Sequence, residues 1–316
     1  VTDTLHLLAG LRYNVDRKDV DFRQRVLNVP TLPAGAPTAP AAAYSNQTAV
    51  RQDDDTNVSG QLTVAYKPSE RANLYATYAT AFKSIGINLG GGPAIEIPPE
   101  DVRHVEIGLK TTLRPGVTAN VSAYNTDVKN FQTQVLVPGN PRPVIASAPK
   151  VRVRGFEFDG SAAIGESFSL LASLAYADGK YVRFTNAPVP LELTGYTRPN
   201  GQPEVDVSGK RLPGISKWTG SLGAEYRRGT RWFGRDGDAF VGGDWFYRTG
   251  FSSSATPSEF LNVDGYGLLN LRIGFRAKDG WSASLWVRNA LDKDYIELLQ
   301  AAPAGQGAGH YGAQLG

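Results

Sequence analysis

Cysteine is absent from the 316 residues of the chain, and histidine occurs only three times. The absence of cysteine excludes disulfide frameworks, thiolate metal sites and thiol nucleophiles. The scarcity of histidine leaves little room for a catalytic triad, and no Ser-His-Asp arrangement matches a known motif. We therefore expect no enzymatic activity and no cofactor.

Methionine is absent as well, and no apolar run reaches the length of about 18 residues that a membrane helix requires. The first residues lack the basic and apolar regions of a signal peptide. Since a full-length translated chain begins with methionine, we expect the start to be internal or processed. Any segment that crosses a membrane must then be a strand.

Charge of one sign is also lacking, because 33 basic residues are balanced by 30 acidic ones and the two kinds are interspersed. This pattern predicts no nucleic-acid partner. The 35 glycines and 20 prolines provide many turns, which favours a single all-β domain of short strands over a helical one.

Eleven segments alternate between apolar and polar residues with a period of two, which is typical of strands with one apolar face. The predicted strands are Leu5–Val15, Val58–Lys67, Leu74–Phe82, Arg103–Leu113, Val117–Asp127, Phe156–Ile164, Phe168–Tyr181, Trp218–Arg227, Ala239–Arg248, Leu268–Arg276 and Trp281–Ala290. The only charge on the apolar face is Arg103, at a strand end. A Lys or Arg at the bilayer midplane costs about 2–4 kcal/mol on the lipid face of a barrel, so a membrane would enforce this pattern. A soluble sandwich also alternates, and alternation alone does not decide between the two.

The connections between these strands favour a membrane barrel. Tight turns such as Arg114–Gly116 and Gly165–Ser167 alternate with long loops such as Asp16–Asn57, Val128–Val151 and Val182–Lys217. Outer-membrane barrels have short periplasmic turns and long extracellular loops in this order. Aromatic residues at both ends of the apolar face predict two girdles at the membrane interfaces. The residues are Tyr66, Phe168, Tyr226, Phe275 and Trp281 at the short-turn end and Tyr13, Phe82, Phe156, Tyr176 and Trp218 at the long-loop end.

The number of strands predicts that the barrel is incomplete. Bacterial single-chain barrels have an even number of strands, so eleven leave at least one closing strand missing. We expect Asp292–Gly316 to be a last extracellular loop that does not return across the membrane. An open sheet has two unpaired edges, and we therefore expect that this stretch does not fold by itself.

Six sequence segments resemble strands of the TonB-dependent receptors of the bacterial outer membrane, in the same order. "YATYATAFKSIGIN" at Tyr75–Asn88 is similar to their "YASYSRGFKSGGFN" type of segment, and "VRHVEIGLKTTL" at Val102–Leu113 to their "NYEVGLKS" strand. The other four are "SAYNTDVKNFQ" (Ser122–Gln132), "RGFEFDGS" (Arg154–Ser161), "GKRLPGISKWTGSLGAEY" (Gly209–Tyr226) and "GLLNLRIGF…WSASLWVRNALDKDY" (Gly267–Tyr295).

The resemblance implies a fold: an antiparallel transmembrane β-barrel of about 22 strands with a plug inside the lumen. Residues 1–316 would be one partial domain that holds strands eleven to twenty-one, with the plug domain and the final strand absent. It also implies a function, which is the import of a scarce, large nutrient that binds between extracellular loops and plug. Iron–siderophore complexes are the commonest substrates of the family. The implied partners are outer-membrane lipid, the plug of the same full-length chain, and the coupling protein TonB, which would act through the missing N-terminal part.

Seven polar residues on the predicted lumen face are candidates for substrate binding. They are Arg12, His104, Glu106, Lys110, Arg272, Arg276 and Arg288. The basic ones could steer an anionic chelate. The more common role of such residues is to form ion pairs with the plug or with acidic neighbours, for which Glu157, Asp159, Glu225 and Asp244 are available.

Two acidic arrangements invite a metal-site interpretation that we do not adopt. His104 and Glu106 share one strand face, but such a pair more often forms salt bridges to a plug. Asp53, Asp54 and Asp55 lie at a predicted loop-to-strand junction, where successive carboxylates usually form a solvated rim. We therefore predict no metal site.

Three other classes of protein remain as alternatives. A passive porin would close with fewer strands and a constriction loop. A barrel lipase would need a Ser-His pair on the lipid face, where the sequence places no histidine. A soluble β-sandwich or adhesin would leave the aromatic girdles and the asymmetry of the loops unexplained.

Overall fold

The computed structural model describes residues 3–27, 46–89, 95–135, 144–193, 195–256, 258–301 and 311–315. Its main element is an eleven-stranded antiparallel sheet in which each strand pairs only with its neighbours in sequence. The strands are β1 (Leu5–Gln24), β2 (Gln47–Ser69), β3 (Ala72–Lys83), β4 (Glu100–Arg114), β5 (Val117–Val135), β6 (Val144–Ile164), β7 (Phe168–Arg183), β8 (Trp218–Trp232), β9 (Arg235–Arg248), β10 (Tyr266–Ala277) and β11 (Ser282–Val287). The predicted all-β fold with eleven antiparallel strands is confirmed. The sheet is not closed, and β1 and β11 form its two edges.

The connections contain four short hairpins outside the main sheet. They pair Gly86–Asn88 with Ile95–Ile97, Ala187–Pro188 with Glu204–Val205, Phe251–Ser252 with Asn262–Val263, and Ile296–Ala301 with Tyr311–Leu315. A 3-10 turn spans Leu191–Leu193. Within the described ranges, no helix is long and apolar enough to cross a membrane. The segment Asp292–Gly316 was predicted to be a loop. It contains the last of these hairpins, which does not join the main sheet.

The strand register brings the apolar side chains onto one face of the sheet. One row of directly opposed residues runs across seven strands and consists of Leu5, Tyr66, Leu74, Leu109, Val121, Phe158 and Leu174. Many side chains on this face have no protein cover; Ile107 on the interior strand β4, for example, is 59% exposed. A contiguous apolar surface of this extent is unfavourable in water and suits contact with lipid. We call it the outer face, and the opposite face the inner face.

Aromatic side chains cluster at both ends of the outer face, as the girdle prediction requires. At the long-loop end, the ring of Trp218 lies 5.5 Å from Phe156 and 4.9 Å from Tyr176, between ring centroids. At the short-turn end, Phe275 packs between Trp232 at 5.8 Å and Trp281 at 6.2 Å. The strand segments between these two clusters form the part of the sheet that faces lipid.

Several strands extend beyond the long-loop girdle, so the predicted loops were too long. The segment Asp16–Asn57 was predicted to be a loop, but β1 continues to Gln24 and β2 begins at Gln47. Likewise, β5 continues to Val135 and β6 begins at Val144. In the extensions of β1 and β2, charged residues occur on both faces, so the alternation that marks a membrane strand disappears there while the backbone pairing continues.

The three consecutive aspartates lie inside β2 rather than at a solvated loop junction. Asp53, Asp54 and Asp55 pair with Lys18, Arg17 and Asp16 of β1. The carboxylate of Asp53 accepts a hydrogen bond from Arg51, and Asp55 Oδ2 accepts one from the backbone N–H of Ile85 at 3.3 Å. The earlier interpretation was wrong because the extension of β1 and β2 was not visible in the pattern.

The connection that follows β7 folds back over the inner face at the long-loop end. Its apolar side chains form a cluster with residues of β5, β6 and β7, comprising Val128, Ala148, Val151, Tyr181, Phe184, Ala187, Val207 and Leu212. Backbone hydrogen bonds fix this docking, among them Leu212 N–H to Gly179 O at 3.0 Å and Gly209 N–H to Tyr181 O at 2.7 Å. The described residues of this connection thus form a cap over the inner face at the long-loop end, where the mouth of a closed barrel would lie.

Candidate functional site

Two of the seven predicted lumen residues form an ion-pair network on the inner face of β8, β9 and β10. Arg276 donates both terminal nitrogens to Glu225, at 2.7 and 3.1 Å. Arg272 donates to the same carboxylate at 3.3 Å and also to Asp244. The guanidinium of Arg276 additionally lies 3.8 Å from the ring centroid of Phe240. The predicted pairing of these arginines with Glu225 and Asp244 is therefore present.

A second network joins β3, β4 and β5 on the same face. His104 Nδ1 lies 2.8 Å from Thr126 Oγ1, and His104 Nε2 lies 3.5 Å from Glu106 Oε2. The hydroxyl of Tyr75 donates to the other oxygen of Glu106 at 2.5 Å. Lys110 Nζ lies 5.5 Å from the ring centroid of Tyr75. These contacts hold His104, Glu106 and Lys110 against the wall through neighbouring strands.

The remaining two candidates stand apart from both networks. Arg12 is exposed on β1, near one edge of the sheet. Arg288 follows β11, near the other edge, with its guanidinium 5.0 Å from the ring centroid of Trp286. Because β4 and β10 are six strands apart in the sheet, the structure does not bring the seven residues into one site. In the part of the chain that the structure describes, no group of three or more potential ligands could hold a metal ion.

A cavity of about 730 Å³ lies at the long-loop end, between the connection from β7 to β8 and the connection from β9 to β10. Its polar lining includes basic residues from the first connection and hydroxyl groups from the second. These residues are Lys210, Arg211, Lys217, Ser252, Ser254, Thr256 and Ser258. Phe251, Val207 and Val263 contribute apolar surface. Convergent polar groups beside apolar surface in a concave site are typical of small-molecule sites.

Hydrogen bonds that link the two connections to each other and to the ends of β7 and β9 hold the walls of this cavity in place. The buried hydroxyl of Tyr181 donates to the carbonyl of Ala255 at 3.2 Å. The backbone N–H of Gly214 donates to the carbonyl of Ser252 at 2.8 Å. Arg248 Nε, at the end of β9, donates to Ser216 Oγ at 3.0 Å. These hydrogen bonds fix the positions of the cavity walls relative to one another.

Our interpretation of the sequence did not identify this cavity. Tyr181 and Ala255, which close it, are 74 residues apart, and no local pattern predicts their contact. The available signals were compositional: the adjacent Lys210 and Arg211, and the run of hydroxyl residues that begins at Ser252. Both lie in connections rather than on the strands to which period-two alternation applies.

Comparisons with known proteins place this architecture in a family. The profile of the family described as "TonB dependent receptor-like, beta-barrel" matches residues 1–290. A curated relative, the probable TonB-dependent siderophore receptor PiuA of Acinetobacter baumannii, is 25% identical over 199 residues, which are 60% of this chain and 24% of the relative. The ferric yersiniabactin uptake receptor FyuA of Yersinia pestis superposes with a TM-score of 0.75 at 16% identity, covering 100% of this chain and 42% of FyuA. The copper transporter OprC superposes with a TM-score of 0.68 at 20% identity, covering 99% and 44%.

The chain belongs to the TonB-dependent receptor family. It spans less than half of the length of each of these relatives. Members of the family are bacterial outer-membrane proteins and are not enzymes, so the predicted location and the prediction that the chain is no enzyme are confirmed. The family assignment also overrules the porin, barrel-lipase and soluble-sandwich alternatives.

Proposed function

We propose that this chain forms half of the barrel wall of a transporter that imports a metal chelate, with iron–siderophore complexes as the substrate class, using energy transmitted by TonB. The observation that carries the proposal is the hydrogen-bonded cavity at the long-loop end, which is the extracellular end of such barrels. The similarity to PiuA, a probable siderophore receptor, and to FyuA, a ferric yersiniabactin receptor, supports the iron–siderophore class, and the similarity to OprC, a copper transporter, supports metal uptake more broadly.

The lining of the cavity fits an anionic ligand better than a cationic one. Lys210, Arg211 and Lys217 supply three positive charges, whereas Glu259 and Asp264 supply two negative ones. Ferric complexes of catecholate or carboxylate ligands carry negative charge and many oxygen acceptors, to which ammonium, guanidinium and hydroxyl groups can donate. The cavity volume lies within the range of about 300–1,000 Å³ that is usual for small-molecule sites.

The inner-face networks have a different role in this proposal. Glu225 and Glu106 already bind neighbouring groups of the wall, so they are poorly placed to capture a passing ligand. We assign them to the surface that faces the plug of the full-length chain. In a crowded lumen, paired charges limit the cost of burial that isolated charges would incur.

The test uses the full-length receptor, with binding measured against one catecholate, one hydroxamate and one carboxylate ferric chelate and against copper(II) alone. We expect one ferric chelate to bind, and the double substitution Lys210→Gln, Lys217→Gln to weaken binding at least about tenfold, since a hydrogen bond to a charged group contributes about 1.5–3 kcal/mol. The matched control, Lys278→Gln, removes an exposed lysine from a short turn and should leave affinity unchanged.

Uptake into cells with and without TonB tests the energy requirement. Uptake that requires TonB supports active transport, whereas equal uptake in both strains would contradict it. Binding of copper(II) without any ferric chelate would replace iron–siderophore by copper as the substrate class. Equal affinity of the double variant and the wild type would place the binding site outside this cavity.

A further inference from the structure

Beyond the long-loop girdle, the outer face of four adjacent strands carries a concentration of positive charge. Six side chains form this basic patch, which comprises Arg103, Lys129, Lys150, Arg152, Arg154 and Lys180. The register places them on the same face as the girdle. In β6, for example, Arg152 and Arg154 lie four and two residues before Phe156, so all three side chains point to the same face. The patch spans three inter-strand intervals, from β4 to β7, or about 15 Å.

The acidic residues on this surface neutralise only part of the charge. Asp127 accepts a hydrogen bond from Arg152 at 2.7 Å, and Asp178 pairs with Lys180 at 2.7 Å. Asp101 is the third acid on the same surface, opposite Lys129 in the ladder. Six basic residues thus face three acidic ones, which leaves a net charge of +3.

Three members of the patch have no acidic partner within the described ranges. Arg103 and Lys129 are exposed and form no ion pair there. Arg154, also exposed, donates only to the amide oxygen of Asn125, at 2.8 Å. These three groups can therefore bind an external anion without breaking an ion pair.

This surplus is local, because the corresponding surface of β1 and β2 has the opposite balance. There, Arg17 and Arg23 face Asp19, Asp21 and Asp54, for a net charge of −1. Both surfaces lie beyond the same girdle and consist of the same kind of extended strand. The basic patch is consequently a property of β4 to β7 and not of the wall in general.

We propose that the basic patch binds the phosphate groups of a phosphorylated glycolipid in the outer leaflet of the outer membrane. Surfaces that lie directly beyond an aromatic girdle are at the depth of the lipid headgroups. Clusters of lysine and arginine at this depth attract anionic lipids, and guanidinium groups bind phosphate through paired hydrogen bonds. The surface is an open strand face rather than a cavity, which suits an occupant that the membrane itself holds in place.

Other occupants fit the patch less well. A second copy of the chain that used the same patch around a two-fold axis would bring two net charges of +3 together. A soluble anion would find no enclosing wall here, unlike in the cavity at the barrel mouth. A membrane-anchored phosphate, by contrast, is confined to this depth and meets the patch at high local concentration.

The test uses the full-length receptor in phosphatidylcholine nanodiscs that contain a diphosphorylated lipid A, with bound lipid quantified by native mass spectrometry. We expect the triple substitution Arg103→Gln, Lys129→Gln, Arg154→Gln to weaken lipid A binding at least about tenfold. The matched control, Arg17→Gln, Arg23→Gln, should bind like the wild type. Removal of the phosphates from lipid A should weaken its binding to the wild type at least as much as the triple substitution weakens the binding of intact lipid A.

A charge-conserving variant separates loss of charge from loss of structure. Arg103→Lys, Arg154→Lys should retain most of the binding, and every variant should show the heat-modifiable mobility of a folded barrel. Equal binding by the triple variant and the wild type would overturn the proposal, as would an equal loss in the control on β1. Inorganic phosphate that binds the patch as tightly as lipid A does would overturn the assignment to a membrane lipid.

Discussion

Replacement of Leu212 by alanine should release the cap over the barrel mouth while the strands beneath it stay intact. Leu212 is only 4% exposed, and its side chain packs in the apolar cluster on the inner face. A buried Leu→Ala change costs about 2–5 kcal/mol. We expect the low end of this range, about 2 kcal/mol, because a connection between strands relaxes more easily than a closed core. This corresponds to about a 30-fold increase in the equilibrium constant for opening of the cap.

Hydrogen exchange of the full-length receptor measures this opening directly. The amides of Val207, Gly209 and Leu212 donate to carbonyls of β7 and of the residue after it, and they exchange only when the cap opens. Their exchange should accelerate about 30-fold in Leu212→Ala. The amides in the membrane part of β7, from Phe168 to Tyr176, should keep the wild-type rate because the ladder to β6 and β8 is unchanged.

A matched control lies in the same connection. Leu193 is 43% exposed, so Leu193→Ala removes the same atoms from a position that contributes little burial. Its effect should stay below about 0.5 kcal/mol, or about a twofold change in rate. Unchanged cap exchange in Leu212→Ala, or equal acceleration in the membrane part of β7, would refute the view that the cap docks as an independent unit.

Three further predictions concern the wall and its connections. Glu225→Gln removes the carboxylate shared by two arginines and should lower the free energy of unfolding in urea by about 1–3 kcal/mol. Gly155→Ala adds a methyl group that overlaps the carbonyl oxygen of Tyr176 and should cost about 1–3 kcal/mol, seen as a smaller heat-modifiable fraction. The hydrogen bonds that Ser208 donates lower the pKa of Asp206, so amide protection in this turn should be present at neutral pH and decrease as the pH falls below about 4; Asp206→Asn should abolish this pH dependence.

Each of these predictions has a contrasting measurement. Glu166→Gln, on an exposed turn, should leave the unfolding free energy unchanged, and an equal loss there would indicate a general effect of charge. Gly229→Ala adds a methyl group whose nearest neighbour, Asp238 Oδ1, lies at an ordinary contact distance of 3.7 Å, and this variant should fold like the wild type. If amide protection of the turn falls at low pH as much in Asp206→Asn as in the wild type, another group must titrate. Protection decreases towards low pH because the pKa of Asp206 is lowered in the folded turn, so the stabilisation is lost only when its carboxylate takes up a proton.

The membrane-crossing part of the fold was predictable because lipid imposes a rule on every residue. In β1, each second residue from Leu5 to Tyr13 is apolar and faces outwards, and the paired residues of β2 obey the same rule. Beyond Val15 that constraint ends. The ladder continues to Gln24 through backbone hydrogen bonds, which leave no trace in side-chain polarity.

The lumen networks were partly predictable, and the cavity was not. Arg272 and Arg276 are four residues apart in one strand, so the sequence alone places them on one face, near the acids of β8 and β9. The cavity depends on contacts that the two connections make with each other and with strand ends, such as the hydrogen bonds from Gly214 to Ser252 and from Tyr181 of β7 to Ala255. Contacts of this kind arise from the way each connection packs, and no period or spacing encodes that packing.

The neighbour-only pairing of the strands has a consequence for how such a wall can change in size. Each hairpin hydrogen bonds only to the hairpins before and after it in the sequence. A two-strand unit can therefore be gained or lost without rerouting the chain, and neither terminus changes its side of the membrane. The circumference is in this sense modular, with the hairpin as its increment, whereas the order of the remaining strands and the direction in which each side chain points are preserved.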